Sequence, residues 1–129
     1  MADLSAFNPN NVDDLASRIV QQVSGEAKTW WDKNSGLMTG YVRSLAEAAF
    51  QTTTALANGT ITAVQANSAT RAQKLAFEQT VEFTEFETLV LAQRIVDAVF
   101  TVIGWVIYNR TGINLTPGLV QPKAAAGGT

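Results

Sequence analysis

The stretch LVLAQRIVDAVFTVIGWVIY, residues 89–108, decides the fold class of this chain. Its 20 residues are largely apolar and end in Trp105 and Tyr108, with Arg110 just beyond. This is the length of a bilayer-spanning helix, and Trp, Tyr and a flanking cation are typical of a helix end at a membrane interface. The apolar spacing predicts a helix. Strand formers over 98–108 leave a hairpin open as the alternative.

Two charges, Arg94 and Asp97, interrupt this apolar stretch. Each costs roughly 2.5–3.5 kcal/mol at a bilayer centre, against a gain of about 0.3–0.6 kcal/mol per strongly apolar residue, so insertion of a lone helix is marginal. Three residues apart on a helix, the two side chains are expected to pair with each other or with groups on an adjacent subunit. Two interpretations remain open: a buried helix inside a soluble oligomer, or a helix that contacts a membrane at some stage.

The helical pattern extends upstream of this stretch without a proline. From Thr60 to Tyr108 the only glycine is Gly104. One helix of up to about 49 residues, on the order of 73 Å, is therefore allowed. Such a helix exceeds a compact domain of this size, so it either breaks near residues 80–88 or belongs to an elongated protein. We expect elongated helices, here about 60–108, that pack laterally in an oligomeric assembly.

Three carboxylates lie on one face of this predicted helix: Glu78, Glu82 and Glu85, at spacings of four and three residues. They indicate either a solvated face or the acidic lining of a water-filled lumen, which would repel the phosphates of a nucleic acid. A glycosidase-type pair of carboxylates needs a pocket and a fixed separation, and this spacing establishes neither. The three residues are therefore a candidate lumen face and not a candidate catalytic site.

Two further helices are predicted nearer the N-terminus. Asparagine caps and a proline precede an apolar pattern that predicts a helix over about 11–33, and 34–36, Asn-Ser-Gly, is its stop signal. A second pattern predicts a helix over about 37–57. Trp30 and Trp31 are adjacent at the end of the first helix, so one of the two indoles must point away from its apolar face. We expect this pair to anchor a partner or an interface.

An uncharged segment joins the second helix to the third. Between Glu47 and Arg71 lie 23 consecutive residues without a charge, rich in Ala, Thr, Gln, Asn and Ser. Small and hydroxyl side chains let helices approach closely, so this segment predicts a tightly packed seam between helices. The alternative is a flexible polar stretch, because residues 52–54 are β-branched threonines with low helix propensity.

The composition argues against most enzyme chemistry. The 129 residues include no His and no Cys, which removes imidazole bases, thiolate nucleophiles and the usual zinc sites. Nine Lys and Arg against eleven Asp and Glu give a net charge of −2, so the composition does not predict a basic surface that binds nucleic acid. We expect no enzymatic activity, no cofactor, no metal site and no sequence-specific nucleic-acid binding. With 47% hydrophobic residues, some apolar surface should meet a partner.

The length fits one domain. Residues 1–112 are predicted to form a single helical assembly domain, and residues 113–129 an extended or partner-captured tail. The first residues are acidic and no apolar stretch of a secretory signal follows them, so export by that route is not expected.

The segment QANSATRAQKLAFEQ, residues 65–79, is rich in Ala, Gln and Asn and precedes the apolar stretch. In composition it resembles the small helical internal or ejection proteins of bacteriophages. The resemblance extends over about residues 48–108. It implies a protein made without a signal peptide that co-assembles in many copies, in several such families into a tube or pore that conducts DNA into the host. It implies no site residue.

We therefore expect a non-enzymatic, self-assembling structural protein, an internal or ejection component of a virion that contributes to a tube or pore. Its predicted partners are copies of itself and other virion or assembly proteins, in the virion or a cytoplasmic assembly, with the host membrane as a further contact on delivery. The competing expectation is a membrane-associated helical protein that acts alone, holin-like or an anchoring factor. The candidate membrane or interface residues are Trp30, Trp31, Arg94, Asp97, Trp105 and Tyr108.

Overall fold

The computed structural model describes residues 4–84 and 89–121, and within these ranges the chain forms four helices and no strand. The helices are α1 (Val12–Glu26), α2 (Lys28–Ala57), α3 (Ala63–Thr84) and α4 (Leu89–Thr111). The all-helical class predicted from the sequence is confirmed. Residues 98–108 are helical throughout, so the hairpin alternative is wrong.

Local side-chain chemistry explains where α1 and α3 begin. The Asn11 side chain accepts a hydrogen bond from the Asp14 backbone N–H (2.8 Å), which caps α1. At α3, Thr62 Oγ1 accepts from the Gln65 N–H (3.1 Å) and Gln65 Oε1 accepts from the Thr62 N–H (2.9 Å). This reciprocal pair is a capping box, which satisfies two backbone donors at the start of the helix.

The predicted boundary between the first two helices is wrong. The sequence pattern placed it at residues 34–36, between helices over about 11–33 and 37–57. In the structure the helix breaks at Ala27, whose φ of −147° and ψ of 62° are not helical, and α2 runs unbroken through 34–36.

Burial explains why the stop signal fails. Trp31 and Met38, on either side of residues 34–36, both lie in the core, and a continuous helix places these two residues, seven apart, on the same face. The Asn34 side chain is accommodated inside the helix, where its amide donates to the Trp30 carbonyl oxygen (2.9 Å). Tertiary packing thus outweighs the local preference of Asn and Gly for helix ends.

The single helix predicted over about 60–108 is also wrong, and the alternative, a break near residues 80–88, is confirmed: α3 ends at Thr84 and α4 begins at Leu89. Phe77 and Phe100 have ring centroids 6.2 Å apart, and Lys74 Nζ lies 4.0 Å from Asp97 Oδ1. Residues 23 apart in one continuous helix would be about 34 Å apart. The chain therefore reverses between α3 and α4, which pack against each other as two separate helices.

Consecutive helices run antiparallel. Arg43, midway along α2, donates a hydrogen bond to the carboxylate of Asp13 at the start of α1, and this contact raises the pKa of Arg43 above its ordinary value. Trp30 Nε1, near the start of α2, donates to Thr84 Oγ1 at the end of α3 (2.9 Å). The four helices thus form an up-and-down arrangement in which α2 and α4 point the same way.

The apolar helix α4 lies at the centre and contacts each of the other three. Twelve of its 23 residues are buried, including Phe100, Ile103 and Ile107. In the described ranges α3 contacts α2 and α4 but not α1. Only Ala66, Thr70, Phe77 and Val81 of α3 are buried, so α3 is the outermost helix.

The N-terminal segment closes one end of this arrangement. The side-chain amide of Asn109 donates to the carbonyl oxygens of Leu4 (3.1 Å) and Phe7 (2.8 Å). Arg110 Nε donates to Asn8 Oδ1 (2.7 Å). These bonds hold the segment before α1 against the last turn of α4.

After α4 the chain crosses back over the same helix at Gly104. A Cβ built on Gly104 would overlap the Thr116 hydroxyl and lie 2.7 Å from Val120 Cγ2, so the crossing depends on glycine. Leu115 and Val120 are buried there.

The predicted division of the chain into residues 1–112 and 113–129 stays a prediction, and residues 122–129 lie outside the described ranges.

Candidate interaction surface

One side of α3 faces solvent along the whole helix. We call it the α3 outer face. Six exposed residues mark it: Val64, Ser68, Arg71, Leu75, Glu82 and Phe83. At 100° per residue they lie within about 120° of one another around the helix axis, opposite the buried stripe.

Three large apolar side chains of this face are unusually exposed: Val64 at 76%, Leu75 at 56% and Phe83 at 80%. Between them stand small side chains, Ser68 and Ala72, which let a second helix approach closely. Scattered exposed apolar residues are normal on a soluble protein, but a row of them on one helix face is typical of an interaction site.

Charges of opposite sign occupy different parts of the same face. Arg71 lies in its first half and Glu82 near its end, with Glu78 half-buried at the edge. Within the described ranges, no ion pair forms at any of these three residues. The face therefore carries charges of both signs, separated along the helix.

The apolar exposure continues at the start of α4. Leu89 is 76% and Val90 67% exposed, and both lie at the same end of the bundle as Phe83. The Trp30 to Thr84 hydrogen bond fixes the end of α3 at this point. We call Phe83, Leu89 and Val90 the apolar end.

The structure places both predicted tryptophan anchors in the core. Trp30 is 5% and Trp31 9% exposed, and their rings contact each other with centroids 6.3 Å apart. The Trp30 N–H is satisfied by Thr84, as a buried indole requires. In this chain the pair joins helices to one another and presents little surface to a partner.

Arg94 and Asp97 are not brought together as predicted. Arg94 is exposed, and the Asp97 carboxylate, with 40% of its side chain exposed, instead lies 4.0 Å from Lys74 Nζ on α3. The reason is the antiparallel packing of α3 on α4, which the sequence pattern did not reveal. Gln93 also donates to Asp97 (3.4 Å). Neither charge is buried in the core of this chain.

The residues that the sequence predicts at a membrane interface lie partly in the core and partly at the surface. Trp105 is 9% exposed and makes an edge-to-face contact with Tyr108, which is partly buried (centroids 6.0 Å apart). Arg110, expected to flank a membrane, stacks on the Phe50 ring at 5.1 Å and holds the N-terminal segment. These residues have structural partners within the chain.

Of the candidate lumen face, the structure describes Glu78 and Glu82. Glu78 is half-buried and Glu82 is exposed on the α3 outer face. Glu85 lies outside the described ranges. The lumen assignment stays a prediction.

The described ranges include one helix, α4, that is long and apolar enough to cross a membrane, with a mean hydropathy of 1.7. In this structure 67% of its apolar window is buried inside the protein. A core helix of a soluble protein has the same properties, so the length and composition of α4 are weak support for a membrane span.

One cleft lies beside α3. It has a volume of about 450 Å³ and is bounded by Arg71 and Lys74 on α3 and by residues 115–119 on the opposite wall. Its lining contains no carboxylate, and Lys74 is already close to Asp97. Among the described residues no cluster of acidic side chains could hold a metal ion. The polar side chains of the cleft are thus two cations, two hydroxyls and one amide.

Comparison with protein-family models, with curated proteins and with solved structures finds no match to this chain.

The helical pattern predicted over about 60–108 does not reveal the α3 outer face. Val64 and Leu75 lie within that pattern, but they are exposed and point away from the buried Phe77. The available signal was that two apolar directions coexist on one helix, which indicates two packing surfaces.

Proposed function

We propose that this protein is a non-enzymatic structural component that assembles with copies of itself. The observation that carries the proposal is the exposed apolar surface formed by the α3 outer face and the apolar end. Among the described residues, five of the six large hydrophobic side chains that are more than half exposed lie there: Val64, Leu75, Phe83, Leu89 and Val90. Burying them against another subunit is worth about 25 cal/mol for each Å² of apolar surface removed from water.

An internal or ejection component of a virion fits this proposal. The support is the Ala, Gln and Asn-rich composition of residues 65–79 and the shortage of charged residues, at 16% of the chain. In such a role many copies would pack laterally, with other virion proteins as partners, into a tube or pore. Neither the virion nor the tube follows from the helical fold itself, because helical bundles have many functions.

The test is the mass of the protein in solution, measured by light scattering over a range of concentrations. We expect a mass that exceeds one chain and grows with concentration. A monodisperse monomer at every concentration would refute self-assembly. Electron microscopy of the assembled material then examines the conduit: rings or tubes support it, and a closed dimer alone contradicts it.

A membrane-associated function is the second candidate, and the length and hydropathy of α4 favour it. At 23 residues α4 measures about 34 Å, close to the thickness of a bilayer core. Contact with lipid would require α4 to leave α1, α2 and α3, which cover most of it. Flotation with phosphatidylcholine vesicles, with and without anionic lipid, examines this function. Co-flotation would support it, and protein that stays in the aqueous phase would contradict it.

A further inference from the structure

We propose that the self-association contact is formed by α3 and the α3 of a second copy, packed antiparallel through the α3 outer face. The inference rests on the proposed self-assembly and adds to it the surface, the direction and the register. Its starting point is that α3 is packed on one side only, with four buried residues in 22.

Steric fit is the first argument. Leu75 is 56% exposed near the middle of the face. Ala72, about one turn before it, is small and also exposed. A second helix that presents the same large residue beside a small one can pack against it at a short interhelical distance.

Charge selects the direction. Arg71 and Glu82 are eleven residues apart, about 16 Å along the axis, and point in directions that differ by only about 20°. If two copies are related by a two-fold axis midway between these residues, each Arg71 lies opposite the other copy's Glu82. A parallel, in-register pair would instead place like charges together. The antiparallel arrangement is therefore the complementary one.

The same register brings the two Leu75 side chains together. The axis lies about one and a half residues beyond Leu75, so the two leucines are offset by about 4.5 Å along the helices and contact each other. Two ion pairs then flank a central apolar contact. This is an isologous interface, which closes at two copies. A larger assembly needs a second surface, and the apolar end remains free to provide it.

Charge reversal tests the direction and the register. Arg71→Glu and Glu82→Arg, made singly, should each weaken dimerisation about tenfold or more, because each creates two like-charge contacts. The double variant Arg71→Glu with Glu82→Arg should restore the wild-type association constant to within about threefold, because it exchanges the charges and keeps them complementary. Arg94→Glu, an exposed charge on α4, is the matched control and should have no effect. Sedimentation equilibrium gives the association constants, and circular dichroism verifies that each variant is folded.

Substitution of the central leucine tests the apolar contact. Leu75→Asp should leave a monomer at concentrations where the wild type is dimeric, while Leu37→Asp, at a leucine on α2 that is also more than half exposed, should leave dimerisation unchanged. A wild type that is monomeric overturns this inference and the proposed function together. A wild type that assembles with no response to Leu75→Asp overturns only the inference. Single reversals that weaken the dimer without restoration in the double variant overturn the antiparallel register.

Discussion

The helices α3 and α4 have almost the same length, 22 and 23 residues, and use their side chains in opposite ways. α4 buries twelve residues distributed around its circumference, whereas α3 buries four on a single stripe. The difference follows from position, because α4 is surrounded by three helices and α3 is packed on one side. In this chain the most apolar helix therefore forms the core, and a less apolar one leaves large apolar side chains exposed.

The largest difference in the free energy of unfolding is expected between substitutions of two phenylalanines, one buried in α4 and one exposed on α3. Phe100 of α4 is fully buried and Phe83 of α3 is 80% exposed. We expect Phe100→Ala to lower the free energy of unfolding by about 3–5 kcal/mol, because a cavity replaces the ring. Phe83→Ala should change it by less than about 0.5 kcal/mol. Urea unfolding of dilute protein measures both, and similar losses for the two variants would remove the distinction between a core helix and an outer helix.

Substitution of two glycines, one in α4 and one in α2, is expected to change the free energy of unfolding by an intermediate amount. Gly104→Ala places a Cβ against Thr116 and Val120, and we expect a loss of about 1–3 kcal/mol in spite of the better helix propensity of alanine. Gly40→Ala, in α2 with open space around it, should gain about 0.5–1 kcal/mol. Thermal unfolding shows whether each variant is more or less stable than the wild type. A stabilised Gly104→Ala would mean that the segment over α4 is displaced at little cost.

The smallest effect on the free energy of unfolding is expected at the ion pair between Lys74 on α3 and Asp97 on α4. Lys74 and Asp97 are 4.0 Å apart with 33% and 40% of their side chains exposed, so Asp97→Asn should cost no more than about 1 kcal/mol. Added salt should reduce the difference further. Burial of Asp97 with Arg94 in an apolar core would instead make its removal cost about 3–5 kcal/mol. A loss of that size in chemical unfolding would contradict the exposed position of the carboxylate.

The sequence analysis succeeded where a pattern is local. The apolar spacing over residues 89–108 identified a helix in spite of its many strand formers, and the structure has that helix. It failed at Ala27, because alanine is the best helix former and the Ser24-Gly25 pair just before it was included in the predicted helix over about 11–33. The break serves packing, since it lets α1 fold back on α2. Between α3 and α4 no glycine or proline over 60–103 marks a break, but the length of the helical pattern indicated one near residues 80–88, and the structure has it.

For the candidate site, the sequence identified side-chain types more reliably than their surroundings. Trp30 and Trp31 were expected at an interface because they are large and amphipathic, yet both are buried within the chain. Leu75 lies within the helical pattern predicted over about 60–108, and only the position of α4 shows that it points outward. Which face of a helix meets a neighbour depends on residues distant in sequence, and a single helical pattern does not encode that choice.

The bonds from Asn109 to the carbonyl oxygens of Leu4 and Phe7 have a consequence for the order of synthesis. They join positions separated by 105 and 102 residues, so the segment before α1 is translated long before its partner exists. On the ribosome α1 and α2 emerge together and can form their hairpin at once. Their apolar sides, however, wait for α4, which is made after the other three described helices. For the time needed to translate α3 and α4 the nascent chain displays an incomplete core, and this is the interval in which a chaperone or a neighbouring nascent chain would meet it.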